Sequence, residues 1–135
     1  MLNRIWSSKP VSVEVGLLLL RVSVGLLMLK DHGLPKLLKF DSYVTDFYNL
    51  LGIGSAASLS LCIFAELFCS GFLMVGLFSR AVLIPLIFNM LIIVFVVHGD
   101  DSLKQNELPV LFLIAYVALL LCGPGRWSAD RLLKK

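Results

Sequence analysis

The stretch ASLSLCIFAELFCSGFLMVGLF, residues 57–78, holds twenty-two residues and a single charge, Glu66. As a helix rising 1.5 Å per residue it spans about 33 Å, enough for a bilayer core of about 30 Å. Three more apolar runs flank it at about residues 13–32, 81–98 and 108–122. Four crossings of about 20 residues each consume some 80 positions, leaving only short loops. The 135-residue chain is 59% hydrophobic and 16% charged, with mean hydropathy +0.92, whereas soluble domains average about 45–50% apolar and 25% charged. A large extramembrane catalytic domain, a nucleotide-binding fold and a disordered tail are thereby excluded. The expected fold is an all-α integral membrane four-helix bundle forming a single domain over residues 1–135.

Between the first two runs, Phe40, Tyr43, Val44, Phe47, Leu50 and Leu51 recur at mainly three- and four-residue steps, the pattern of a short amphipathic helix lying in the interface. Only Ser79 and Arg80 separate the second and third runs, which makes those helices antiparallel neighbours. The N-terminus carries Arg4 and Lys9 before an apolar run, as a signal peptide does, but that run contains Glu14 and Arg21 and lacks a small-x-small cleavage site. It is read as a retained helix. Arg4, Lys9, Arg80, Arg126, Arg131, Lys134 and Lys135 fall on one side, against Lys30, Lys36, Lys39 and Lys104 on the other. The positive-inside rule then places both termini in the cytoplasm.

The twelve Lys and Arg are scattered and the net charge is only +3, without the clustered basic patch that nucleic-acid binding needs. Three cysteines with no C-x-x-C make no disulfide scaffold. Cys62 and Cys69 lie about 10 Å apart along a helix, beyond disulfide reach.

An ionisable group within a membrane helix costs at least about 2.5–3.5 kcal/mol and so calls for a partner or a function. Counting inward, Arg21 and Glu66 fall near mid-helix, and the simplest expectation is a buried ion pair hydrogen-bonded by Asn89. Arg21, Gly25, Met28 and His32 share one helix face, as do Cys62, Glu66 and Cys69. A second polar set gathers at the outer ends: His32, Lys36, His98 and Glu107. Two histidines and a carboxylate can bind a metal, relay protons or hydrogen-bond a quinone carbonyl. For metal, His32, His98 and Glu107 come from three helices without diagnostic spacing, which favours helix-end caps over ligands. His32-Gly33 and His98-Gly99 also form a weak echo of a parallel repeat.

With these residues in hand, nearly the whole chain resembles the DoxX family of small four-helix bacterial membrane proteins. The resemblance is carried by Arg21, the segment His32-Gly33-Leu34-Pro35-Lys36, Glu66, the exit Gly76-Leu77-Phe78-Ser79-Arg80, Glu107, and the ending Gly123-Pro124-Gly125-Arg126-Trp127-Ser128-Ala129-Asp130. Trp127 stands where the family ending has Tyr, Ala129 where it has Leu, and Ser79 where Thr is common.

The resemblance implies an inner-membrane component of a quinone-linked redox or oxidative-stress system. It would be an oxidoreductase subunit rather than a self-sufficient enzyme, since no motif here binds haem, flavin or an iron–sulfur cluster. A quinone-like or other small ligand is expected to touch Arg21, His32, Lys36, Glu66, Asn89, His98 and Glu107, with Glu66 and His32 the candidates for proton transfer. Expected partners are the lipid bilayer, a redox-enzyme subunit or a second copy of the chain. The alternative is a non-enzymatic scaffold or assembly factor, whose buried polar groups serve packing and whose small residues, such as Gly16, Gly25, Ser70, Gly71 and Gly76, admit close helix contacts.

Overall fold

The computed structural model describes residues 5–97 and 103–133. Among them every regular element is helical. Helix α1 starts at Val13, where Ser12 adopts extended geometry and its hydroxyl accepts a hydrogen bond from Val15 N at 3.3 Å, an N-cap reinforced by Glu14 in the first turn. It continues without a break through Val13–Met28, a π-helical stretch Leu29–Gly33 and Leu34–Leu38. Pro35 cannot donate an N–H back along the helix, and the wide turn directly precedes it. The apolar-run reading ended this helix at His32; it extends six residues further.

A short helix α2, Phe40–Val44, and a 3-10 turn, Leu50–Gly52, lead to α3, Ser55–Val75. The middle of α3, Phe64–Cys69, is again π-helical. Gly76 ends it in the left-handed conformation (φ 82°), with its own N–H bonding Leu73 O and Leu77 N bonding Phe72 O, the Schellman closure that glycine permits without strain. Helix α4 is Ser79–Val97, α5 is Leu103–Cys122 and α6 is Ala129–Leu133.

By length and composition α3 and α4 are able to cross a membrane; the apolar part of α5, Asn106–Cys122, is shorter. Helix α1 packs along α3, and α4 packs along α5. Met28, Leu73, Leu83, Leu86, Met90, Tyr116 and Leu119 fill the space between the helices. Their outward faces carry exposed Leu19, Phe68, Phe72, Ile84, Phe95, Ile114 and Leu121, a surface suited to lipid rather than water.

Candidate functional site

The polar residues separate into two clusters at different heights. The first lies where both ends of the described chain meet. Arg21, almost fully buried, donates from Nη1 to Pro124 O and from Nη2 to Trp127 O, the latter at 2.7 Å. Glu14 accepts from Arg126 N. Asp130 accepts from Phe78 N at 2.6 Å and from Ser79 N at 2.8 Å, while Asp130 N bonds Gly76 O. Ser128 seats so closely on Gly76 that a methyl group there would come within 2.5 Å of its Cβ. The G-P-G-R-W-S-A-D ending is thus a clasp across the starts of α1 and α4 and the end of α3.

This corrects the expected Arg21–Glu66 pair. The heights of close contacts along α1 show why: Arg21 lies at Gly76, Gly25 at Ser70 and Met74, and Gly33 at Glu66 and Leu67. Because α1 runs on past His32, Arg21 sits toward the clasp end rather than at mid-height, and Gly33 takes the level of Glu66. A methyl group on Gly33 would fall 2.8 Å from the Glu66 carbonyl carbon and from Leu67 N. Backbone therefore meets backbone there, and only glycine fits. The two π-helical stretches, Leu29–Gly33 and Phe64–Cys69, pack on each other at this crossing, and such wide turns are frequent at functional sites.

The second cluster is built at that crossing. Glu66, 1% exposed, receives a hydrogen bond from Lys36 Nζ at 2.6 Å and another from Asn89 Nδ2 at 3.2 Å. The Lys36 side chain is 16% exposed. Cys62, one turn before Glu66 on the same face, is buried as well. The His32 ring stands edge-on to Phe112 of α5, centroids 5.7 Å apart.

His32, Lys36, Glu66, Asn89 and Cys62 all line one cavity of about 650 Å³, whose remaining walls are largely apolar, including Met28, Phe64, Phe88 and Phe112. The size and lining are those of a small-ligand pocket, with apolar walls and a few convergent polar groups. Chemically the cluster offers both signs of hydrogen bonding. Lys36 has three N–H donors of which Glu66 uses one, Asn89 has an amide carbonyl, and His32 can donate or accept.

Glu107 is exposed at the start of α5 and is not part of the cavity wall, although Leu108 and Pro109 beside it are. His98 lies outside the described residues. Among the described residues no group of three His, Cys, Asp or Glu is placed to hold a metal ion.

Spacing alone did not reveal the Lys36–Glu66 contact or the part of Asp130 at the start of α4. The only sequence signal for the former was that Lys36 follows His32 by four residues, one turn along the same face.

Comparison with curated proteins and with solved structures returns no match. The DoxX family model matches residues 16–99, more than half of the chain and the part that contains Arg21, His32, Lys36, Glu66 and Asn89. The chain is a membrane protein of the DoxX family.

Proposed function

We propose that this protein is a multi-pass inner-membrane component of a quinone-linked redox or oxidative-stress system, and that its cavity holds a quinone-like headgroup. Helices α1, α3, α4 and α5 form a single four-helix bundle, α2 and the residues after it lie in the interface, and the clasp end faces the cytoplasm. The observation that supports this most is the Lys36–Glu66 pair, with Glu66 buried and Lys36 partly exposed, hydrogen-bonded by Asn89 in the wall of a largely apolar cavity of about 650 Å³. A charged pair at such a site carries a desolvation cost, and ionisable groups kept within a membrane mark ligand sites and proton paths.

A bound quinone would supply a two-electron, two-proton couple. In the chain itself, Lys36 and His32 donate to a headgroup carbonyl, and Glu66 or His32 accepts a proton from a hydroxyl. With no haem, flavin or iron–sulfur motif in the sequence, the electrons pass to a partner subunit.

The test is titration of purified protein in lipid nanodiscs with ubiquinol-1, kept reduced under anaerobic conditions. We expect saturable binding that Glu66→Gln and His32→Ala each weaken by about tenfold or more, the loss of one charge-assisted hydrogen bond, and that Arg21→Lys leaves unchanged. Equal binding by all four proteins, or none by the wild type, overturns the proposal.

The alternative, a non-enzymatic scaffold, is favoured by the clasp, where Glu14, Arg21 and Asp130 are all spent on holding the C-terminal segment. It requires lipid-facing substitutions to impair function more than substitutions at Glu66 or His32.

A further inference from the structure

The cavity has a route to its surroundings that bears on what kind of molecule it takes. Contacts between α3 and α4 are concentrated in the clasp-side part of α3, where Phe64–Cys69 and Ser70–Val75 pack on Ser79–Ile92. The other part, Ser55–Ile63, scarcely touches α4 and packs instead on α2 and on Leu34–Leu38 of α1. The two helices therefore diverge away from the clasp. Leu61 and Phe64 on α3 and Phe88 on α4 line the cavity and are each about half exposed on the outer surface. A residue that does both marks a place where the cavity wall is also the molecular surface.

The far end of the cavity differs. Residues 46–50 lie across it, and hydrogen bonds tie that loop to the start of α3: Ser58 Oγ accepts from Leu50 N at 2.8 Å, Ser55 Oγ donates to Phe47 O at 3.0 Å, and Asn49 Oδ1 accepts from Gly54 N at 2.7 Å. Asp46 there is exposed. The loop rim, with Asp46, Phe47, Tyr48 and Leu50, is fastened; the rim between α3 and α4 is apolar and faces outward, where lipid would lie.

We infer that the ligand is a membrane-dissolved amphiphile, with a hydrogen-bonding headgroup at Lys36, Glu66 and Asn89 and a long apolar tail that leaves sideways between Leu61 and Phe64 of α3 and Phe88 of α4. The inference rests on the cavity being the headgroup site proposed above and adds the class of ligand and its path. A polar cluster set behind an apolar slot matches such a molecule in both parts, whereas a water-soluble ligand of the same headgroup gains nothing from the slot.

The test narrows the slot at a residue whose side chain is already half outside the fold. Purified protein in phosphatidylcholine nanodiscs is titrated with decylubiquinone and with ubiquinone-0, which share a headgroup and differ in the tail. In Leu61→Trp the affinity for decylubiquinone falls by about tenfold or more, the effect of about two methylene groups denied their place, while that for ubiquinone-0 is unchanged. Leu111→Trp, on the exposed face of α5 and away from the cavity, alters neither. If Leu61→Trp leaves both affinities as they were, or lowers both alike, the lateral path is wrong although the headgroup site stands. If wild-type protein binds neither probe, the headgroup reading itself fails and takes this inference with it.

Discussion

Glu66 is a carboxylate with almost no surface of its own, so its energy depends on what touches it. Removing one member of such a pair strands the other charge and destabilises, while replacing both is often close to neutral. Lys36 at 2.6 Å and Asn89 at 3.2 Å are the groups that meet its oxygens; Arg21, bonded to the Pro124 and Trp127 carbonyls, is not. A double-mutant cycle on thermal stability in detergent is therefore expected to give Lys36→Met and Glu66→Gln a coupling of about 1–3 kcal/mol, and Arg21→Met with Glu66→Gln an additive result within about 0.5 kcal/mol. Coupling in the second cycle and additivity in the first would reassign the partner. That Arg21 and Glu66 are buried, and that Arg21, Gly25 and Met28 share a face, was legible in the sequence. Which cation meets Glu66 was not, because pairing depends on height along α1, and height depends on where that helix stops. The apolar run ends at His32, yet Lys30 and Asp31 are exposed within a helix that continues to Leu38.

At the level of elements, α4 begins under strain: Phe78 before it holds a positive φ of 51°, a conformation that costs a residue with a Cβ about 1–2 kcal/mol, and it supplies no side-chain cap. The cap comes from Asp130, whose two carboxylate oxygens take Phe78 N and Ser79 N across the clasp. The Gly-Pro-Gly stop and the helix that follows can be read locally from the sequence; a cap supplied from fifty-two positions away cannot. Asp130→Ala removes both acceptors, and we expect a loss of about 1–2 kcal/mol, as for other N-caps, seen as a lower unfolding midpoint in detergent. Asp130→Asn keeps one acceptor oxygen and is expected to lose less. If the two variants unfold alike and no earlier than the wild type, the clasp does not support α4. The same measurement on Arg21→Lys separates charge from shape, since an ammonium cannot present the paired guanidinium nitrogens that reach two carbonyls at once.

For the whole molecule, the clasp has a consequence for orientation that charge counting alone would leave weaker. Glu14 near the start of α1 bonds the backbone of Arg126 just after α5, so the beginning of the first long helix and the end of the last lie at one end. Arg80 at the start of α4 belongs to that end too, through the Asp130 contacts beside it. Lys9, Arg80, Arg126 and Arg131 therefore share one face, while Asp31, Asp41 and Asp46 belong to the stretch that joins the far ends of α1 and α3. Lys and Arg are retained on the cytoplasmic side during insertion, whereas acids contribute little to orientation, so the clasp end is expected inside. In a variant whose three cysteines are replaced by serine or alanine, Asp41→Cys is expected to react with a membrane-impermeant maleimide in intact cells, and Lys9→Cys only after permeabilisation. The reverse pattern would invert the molecule and turn the cavity's far end toward the cytoplasm. Reaction of both in intact cells would mean that the two ends of α1 are on the same side, contrary to a crossing by that helix. The clasp, which fixes the ends of α1 and α5 together, makes this one measurement report on both.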